Sequence, residues 1–351
     1  MNKSGIDYTN PVWTLIDKLS NKAGITEIAI NGPDDIYIEK EGNFVQVDVK
    51  ITQKSIDQFV NDVSVYNNKI IDENSPLFNG SLPDGSRVNI VSHPIRMEGP
   101  AITIRKFSKS IQTFDSRKGI FGLSPDWVSF IRAAVKGNLN IIVSGGTGVG
   151  KTTFLNLLLQ ETGKHERKVI IEDTRELSIN LPNTIRMESM ALNNARPVTV
   201  RDLVKNSLRM RPDRIVIGEI RGEEIFDLLQ AMNTGHDGSI ATIHANSPRE
   251  CVSRMESLYL LSGYEVPYSV IRNQIGKSID LVIQLKRNRE GMRVVSHITE
   301  ITDMSGDQVL MQDIGVLGKD LNYVVSTNLI PKKIEILEKN GFNRKLFQSN
   351  F

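Results

Sequence analysis

The stretch NIIVSGGTGVGKTTFLNLLLQ, residues 140–160, constrains the fold more than any other part of the chain. An apolar run leads into G-x-x-x-x-G-K-T (Gly145, Gly150, Lys151, Thr152), and an apolar run of helical period follows. Strand, glycine-rich turn and helix in that order make a phosphate-binding loop. Ligands of open parallel sheets sit beyond the carboxyl ends of the strands. This part of the chain is therefore expected to be α/β, with a mostly parallel sheet. Gly145, Gly148 and Gly150 let the backbone bend so that its N–H groups face phosphate oxygens, and the helix N-terminus adds partial positive charge. The expected phosphate contacts are Gly146, Thr147, Gly148, Val149, Gly150, Lys151, Thr152 and Thr153. Lys151 would neutralise the outer phosphates, and Thr152 would hold Mg²⁺ through its hydroxyl.

Three further strand-like runs each end in a residue suited to nucleotide chemistry. KVIIEDTRE ends in Glu172 and Asp173, RIVIGEIRG in Gly218, Glu219 and Arg221, and SIATIHANS in His244. An apolar strand ending in aspartate is the usual second Mg²⁺ element of such sites. Here Asp213 starts its strand, about 20 Å from the far end at ~3.3 Å per residue. Glu219 stands at the correct end. It is assigned to orient Mg²⁺, its water shell or the attacking water, so Thr152 and Glu219 are the metal candidates. Glu172 is the candidate to polarise the attacking water, with Asp173 and Glu176 competing for the role.

Two of the five histidines, His236 and His244, lie eight residues apart. A zinc site needs about three protein ligands, and none joins them at a suitable spacing. His244, at a strand's carboxyl end, is expected to donate a hydrogen bond to the terminal phosphate. His236 follows the helical pattern EEIFDLLQAMNTG. It is a second phosphate candidate, or a helix-terminal residue favoured by the dipole.

The first hundred residues read differently. PVWTLIDKLSN and ITQKSIDQFVNDVSVYNNK have helical spacing, whereas ITEIAINGPDDIYIEKEGNFVQVDV, LPDGSRVNIVSHP and PAITIRKF alternate as strands do. An N-terminal α+β domain over 1–107, a polar linker over 108–122 and a P-loop domain over 123–351 are expected. The last includes a tail with a strand-like NYVVS and a basic, solvated helix around Lys332, Lys333 and Lys339. The single cysteine, Cys251, suits a reducing compartment. The start has no apolar stretch of the signal-peptide kind, and no run reaches the roughly 18 apolar residues of a membrane span.

The four boxes together resemble the secretion ATPase superfamily that drives type II secretion, type IV pili and type IV secretion. The P-loop, IIEDTREL, RMRPDRIVIGEIRG and LLQAMNTGHDGSIATIHANSP match its Walker A, aspartate, Walker B and histidine boxes. Within it the chain looks most like the CpaF group of Tad pilus assembly ATPases, with TEIAINGPDDIYIEKEG and LPDGSRVNI…PAITIRKF also similar. Type IV secretion traffic ATPases share most of these boxes and are the alternative. The resemblance implies a sensing-type N-terminal domain, a RecA-like core, ATP with Mg²⁺, and a homo-hexameric motor. It implies a cytoplasmic protein held at the inner membrane through an integral platform protein. It also implies that Arg87 and Arg105 reach the phosphates, with Arg209, Arg211 and Arg221 as further candidates. A nucleic-acid translocase on the same core is disfavoured by a net charge of +2 and the lack of a basic stretch interleaved with aromatics. A non-hydrolysing scaffold would not need two carboxylates and His244 at the strand ends.

Overall fold

The computed structural model describes residues 6–22, 24–40, 43–106, 113–190, 197–319 and 322–348. The chain divides into two compact units, one of Met1–Lys109 with Thr174–Glu176 and one of Ser110–Asp173 with Leu177–Phe351.

The first unit runs α1 (Pro11–Ser20), β1 (Ile25–Ile30), β2 (Ile36–Lys40), β3 (Asn43–Gln46), α2 (Gln53–Asn67), β4 (Leu77–Ser81), β5 (Arg87–Val91) and β6 (Ala101–Arg105). Asn10 caps α1 by accepting the Val12 N–H, and Pro11 presets the first turn. Thr52 and Ser55 form a reciprocal capping box on α2. The six strands pair antiparallel in the order β3-β2-β1-β6-β5-β4. Alternation sends Ile28, Ile30, Val88, Ile90, Ile102 and Ile104 to one face, where they pack with Val12, Ile16, Ile56 and Phe59 of the helices. Glu27, Arg87, Asn89, Thr103 and Arg105 line a shallow hollow of the same sheet.

The second unit holds α3 (Pro125–Lys136), β7 (Ile141–Gly145), α4 (Lys151–Gln160), β8 (Lys168–Glu172), β9 (Thr184–Glu188), α5 (Val200–Ser207), β10 (Arg214–Ile220), α6 (Glu224–Asn233), β11 (Ile240–Ile243), α7 (Pro248–Leu260), α8 (Tyr268–Ser278), β12 (Leu281–Arg287), β13 (Arg293–Ser305), β14 (Gln308–Leu317), β15 (Val324–Ser326) and α9 (Ile334–Lys339). Its nine strands run in the order β15-β14-β13-β12-β7-β11-β10-β8-β9. From β12 to β9 all pairs are parallel, and β13 to β15 extend the sheet antiparallel. Successive residues face opposite sides, so both faces are apolar. Ile141, Val143, Ile170, Val216 and Ile283 pack on Ile131, Phe154 and Leu158. Ile142, Val169, Ile171, Ile217 and Val282 pack on Leu228, Met232, Met255 and Ile275. No helix among the described residues is long and apolar enough to cross a membrane.

The start of the expected linker, residues 108–112, lies outside the described residues. Beyond it, Phe114 and Phe121 are buried and meet Phe154 edge-on, with ring centroids 6.0 and 5.1 Å apart. This polar stretch is therefore pinned to the second unit by two aromatics too widely spaced to show a period. The tail is pinned likewise. Leu337, Phe342 and Phe347 join the core on one face of the sheet, and Lys333 pairs with Asp280 and Lys332 with Asp303.

Candidate active site

β7 ends at Gly145, and the chain then turns through Gly148 and Gly150 at φ 73° and 95°, where glycine alone is unstrained. A Cβ on Gly145 would lie 2.6 Å from Val149 Cγ2 and 2.9 Å from the Leu285 carbonyl oxygen, whereas one on Gly146 would meet open space. The loop is thus packed behind and open in front. The Val149 side chain is buried in the core, so only its backbone can face a ligand. α4 starts at Lys151, and Gly150 before it offers no side chain to cap the first N–H groups. That leaves the positive end of the helix dipole facing the loop.

Lys151 is 8% exposed. Its ammonium donates to the carbonyls of Gly145 (3.0 Å) and Gly146 (2.9 Å) and stands 3.2 and 3.1 Å from Nδ1 and Nε2 of His244. His244 Nε2 is 2.8 Å from Glu219 Oε1. Glu219 Oε2 accepts from Arg221 Nη2 at 2.7 Å, and Arg221 Nη1 donates to Asp173 Oδ2 at 2.6 Å. Lys151 follows β7, His244 follows β11, Glu219 ends β10 and Asp173 follows β8, and these strands are neighbours in that order. A continuous chain of alternating charge therefore runs along the carboxyl edge of the sheet.

The ring's partners fix its tautomer. Lys151 Nζ is about equally near both ring nitrogens, so Glu219 decides: a carboxylate only accepts, which assigns the proton to Nε2 and leaves Nδ1 as the acceptor for the ammonium. Burial pushes the imidazole pKa below its ordinary 6.5. Lys151, Arg221 and Arg254 push the same way, with Glu219 opposing. Burial and the three cations thus favour the neutral ring.

Several expected contacts fall elsewhere. Glu172 is 2% exposed. It accepts from the Leu177 N–H at 2.8 Å and from Arg186 Nη2 at 3.1 Å, and Gly218 covers it so closely that a Cβ there would lie 3.1 Å from Glu172 Cγ. Through these two contacts its carboxylate organises the chain after β8. Asp173, the next residue, joins the edge instead. Glu176 pairs with Arg87, within the unit that includes Thr174–Glu176. His236 lies away from these groups. α6 runs back across the sheet from the end of β10, so its C-terminus lies at the opposite edge from Lys151. There His236 Nδ1 faces the Ala231 carbonyl at 3.2 Å, and the nearby Ser239 N–H donates to Asn140, just before β7. His236 thus ends a helix and takes no part in the phosphate edge of its own chain. Arg209 and Arg211 precede β10 at that same far edge. Arg87 and Arg105 are direct cross-strand partners on β5 and β6.

Two site residues escaped sequence reasoning. Arg287, at the end of β12, donates to the Gly148 carbonyl at 3.1 Å and to the Gly291 carbonyl at 2.9 Å, so it braces the phosphate loop. Gln284, on the same strand, donates to the Ala245 carbonyl at 3.0 Å. Neither belongs to a motif. The only signal was their place at the end of an apolar run parallel to β7.

The donor set fits a magnesium nucleotide. The loop offers backbone N–H groups, an ammonium at Lys151, a hydroxyl at Thr152 and, one element away, the Glu219 carboxylate. Among the described residues no three His, Cys, Asp or Glu side chains gather as a closed metal cage. Mg²⁺ is held by one or two protein ligands plus phosphates and water, and Thr152 and Glu219 meet that need.

A mostly parallel sheet carrying a glycine-rich loop, lysine and helix at its carboxyl edge defines a P-loop nucleotide-binding protein with a RecA-like core, here preceded by an α+β unit. The chain belongs to the type II/IV secretion system protein family, whose model matches residues 12–313. The superfamily read from the four boxes is thereby shown. The conjugal transfer protein TrbB of Rhizobium radiobacter is 32% identical over 282 residues, covering 79% of this chain and 84% of the relative. The type IV secretion system protein VirB11 of Brucella suis is 30% identical over 292 residues, covering 74% and 81%. The X-ray structure of the Legionella pneumophila ATPase DotB matches with a TM-score of 0.59 at 19% identity, over 96% of this chain and 88% of that one. That likeness is one of fold.

Proposed function

We propose that the chain is an ATP-hydrolysing motor subunit of a secretion or pilus-assembly machine. The observation that carries this is the Lys151–His244–Glu219–Arg221–Asp173 chain along one sheet edge. A binding module needs the loop and the lysine. It does not need a carboxylate held beside them by an imidazole on one side and a guanidinium on the other.

In this reading the loop N–H groups and Lys151 bind the β- and γ-phosphates, and Thr152 and Glu219 hold Mg²⁺, which supplies charge neutralisation on the phosphates. Glu219 also orients the attacking water as acceptor. His244, neutral and anchored on Glu219, responds to the γ-phosphate through its contact with Lys151. Arg221 keeps Glu219 aimed, and Arg87 and Arg105 are the proposed phosphate contacts of the N-terminal unit.

We further propose a homo-hexamer, cytoplasmic and held at the inner membrane by an integral platform protein. The sequence resemblance favours a Tad-type pilus machine. The names of TrbB and VirB11, similar over three quarters of the chain, favour a type IV secretion machine at least as strongly. ATP turnover per chain, measured from well below to well above micromolar protein, tests the motor. A rise to saturation is expected. Flat turnover would remove the dependence on neighbouring subunits, and no turnover at any concentration would overturn the hydrolytic reading.

A further inference from the structure

β12 reaches the site from beneath. Gln284 lies in register with Ser144, the residue before Gly145, and is 2% exposed. Its amide nitrogen donates to the Ala245 carbonyl at 3.0 Å and lies 3.4 Å from the Leu285 carbonyl oxygen. Both neighbours are acceptors, so the orientation of the amide is determined. Its oxygen, Oε1, has no hydrogen-bond partner among the described residues.

A buried amide oxygen without a partner destabilises a fold. A methionine of similar shape fills such a space without that penalty. Stability alone therefore does not explain a glutamine here, and its nitrogen does. β11 ends at Ile243, so the backbone of His244 and Ala245 has left the strand ladder. Gln284 is the side chain that holds this released segment, reaching past β7 to do so.

We propose that Gln284 is a positioning residue for the nucleotide site, fixing the Ala245 carbonyl and through it the placement of His244 between Lys151 and Glu219. It acts on the imidazole, not on the nucleotide. The inference rests on the hydrolytic reading of the site only for its effect on turnover.

The test uses the full chain with Gln284→Met and ¹⁵N-labelled histidine, at about pH 8 where ordinary imidazoles are neutral. The His244 ring signals are assigned by their loss in His244→Asn. The wild type should show the Nε2–H tautomer, and the variant a mixture, with a single cooperative melting transition retained. kcat should fall about tenfold while KM changes less than about twofold, because a misplaced group costs the reaction more than binding. Unchanged His244 ring shifts in the variant overturn the proposal, whatever turnover does. Altered ring shifts in a protein that hydrolyses nothing uphold the positioning and overturn the hydrolytic reading instead. Should Gln284→Met not fold, Gln284→Asn, one methylene short of the carbonyl, gives the same readings.

Discussion

His244 Nε2 stands 2.8 Å from Glu219 Oε1, so one contact ties the end of β11 to the end of β10. With the Lys151 ammonium 3.1–3.2 Å from both ring nitrogens, the imidazole meets a cation and an anion at once. Only one neutral tautomer satisfies both, and a second proton would face the ammonium.

This geometry predicts the acid limb of turnover. Burial first, then Lys151, hold the His244 pKa below its ordinary 6.5. The neutral ring is thus favoured in the folded protein. Its contribution is present above the unfolded value of 6.5 and lost as pH falls through the lower folded value. Turnover should be level between about pH 7 and 8 and decline only below 6.5, and His244→Asn should alter that decline. A wild-type limb centred above 6.5 would contradict the assignment.

Lys151→Ala should weaken MgATP binding about a hundredfold, or about 2.7 kcal/mol. The ammonium is the one side-chain cation built into the loop itself, donating to the carbonyls of Gly145 and Gly146. Calorimetric titration with MgATP measures this directly, and wild-type affinity in the variant would refute the site.

His236→Ala should leave MgATP affinity within about twofold of wild type, since changes remote from a binding site are usually near neutral. The residue lies at the far edge of the sheet, against the end of α6. A large loss of affinity would restore it to the phosphate contacts.

Arg214→Ala should destabilise the second unit by about 3–5 kcal/mol, the cost of breaking a buried charge pair. Arg214 is 0% exposed. It is held by Glu166 at 2.8 Å, the Asn138 side chain at 2.8 Å, the Val135 carbonyl at 3.0 Å and the Gly238 carbonyl. The unfolding transition of that unit reports the loss, and a change below about 1 kcal/mol would show that the network is dispensable.

The loop, its flanking strand and helix, and the residues ending β10 and β11 were legible because each box carries its chemistry within a few consecutive residues. Glu172 was not separable from Asp173. Adjacent residues at a strand end face opposite sides, and nothing local says which side meets the ligand. The sequence leaves His236 open between a phosphate contact and a helix end for a related reason. Its eight-residue distance from His244 includes all of β11, so the two rings lie at opposite edges of the sheet. Arg287 sits more than a hundred residues from the loop it braces and Gln284 39 residues from the Ala245 carbonyl it holds, and only the pairing of β12 with β7 brings them there. The buried Phe114 and Phe121 were hidden in a polar stretch, because two isolated aromatics make no period.

The decisive comparison is steady-state ATP turnover by wild type and by Glu219→Gln, with MgATP binding measured on the same samples. Glutamine keeps the shape and a hydrogen bond to His244 but removes the charge that accepts from water. The variant should still bind MgATP, more weakly for the lost charge at Mg²⁺, and hydrolyse the bound nucleotide at least about a hundredfold more slowly, the scale of a lost general base. Turnover at the wild-type rate would show that Glu219 is not the catalytic carboxylate and that the charged chain along the sheet edge serves the fold instead.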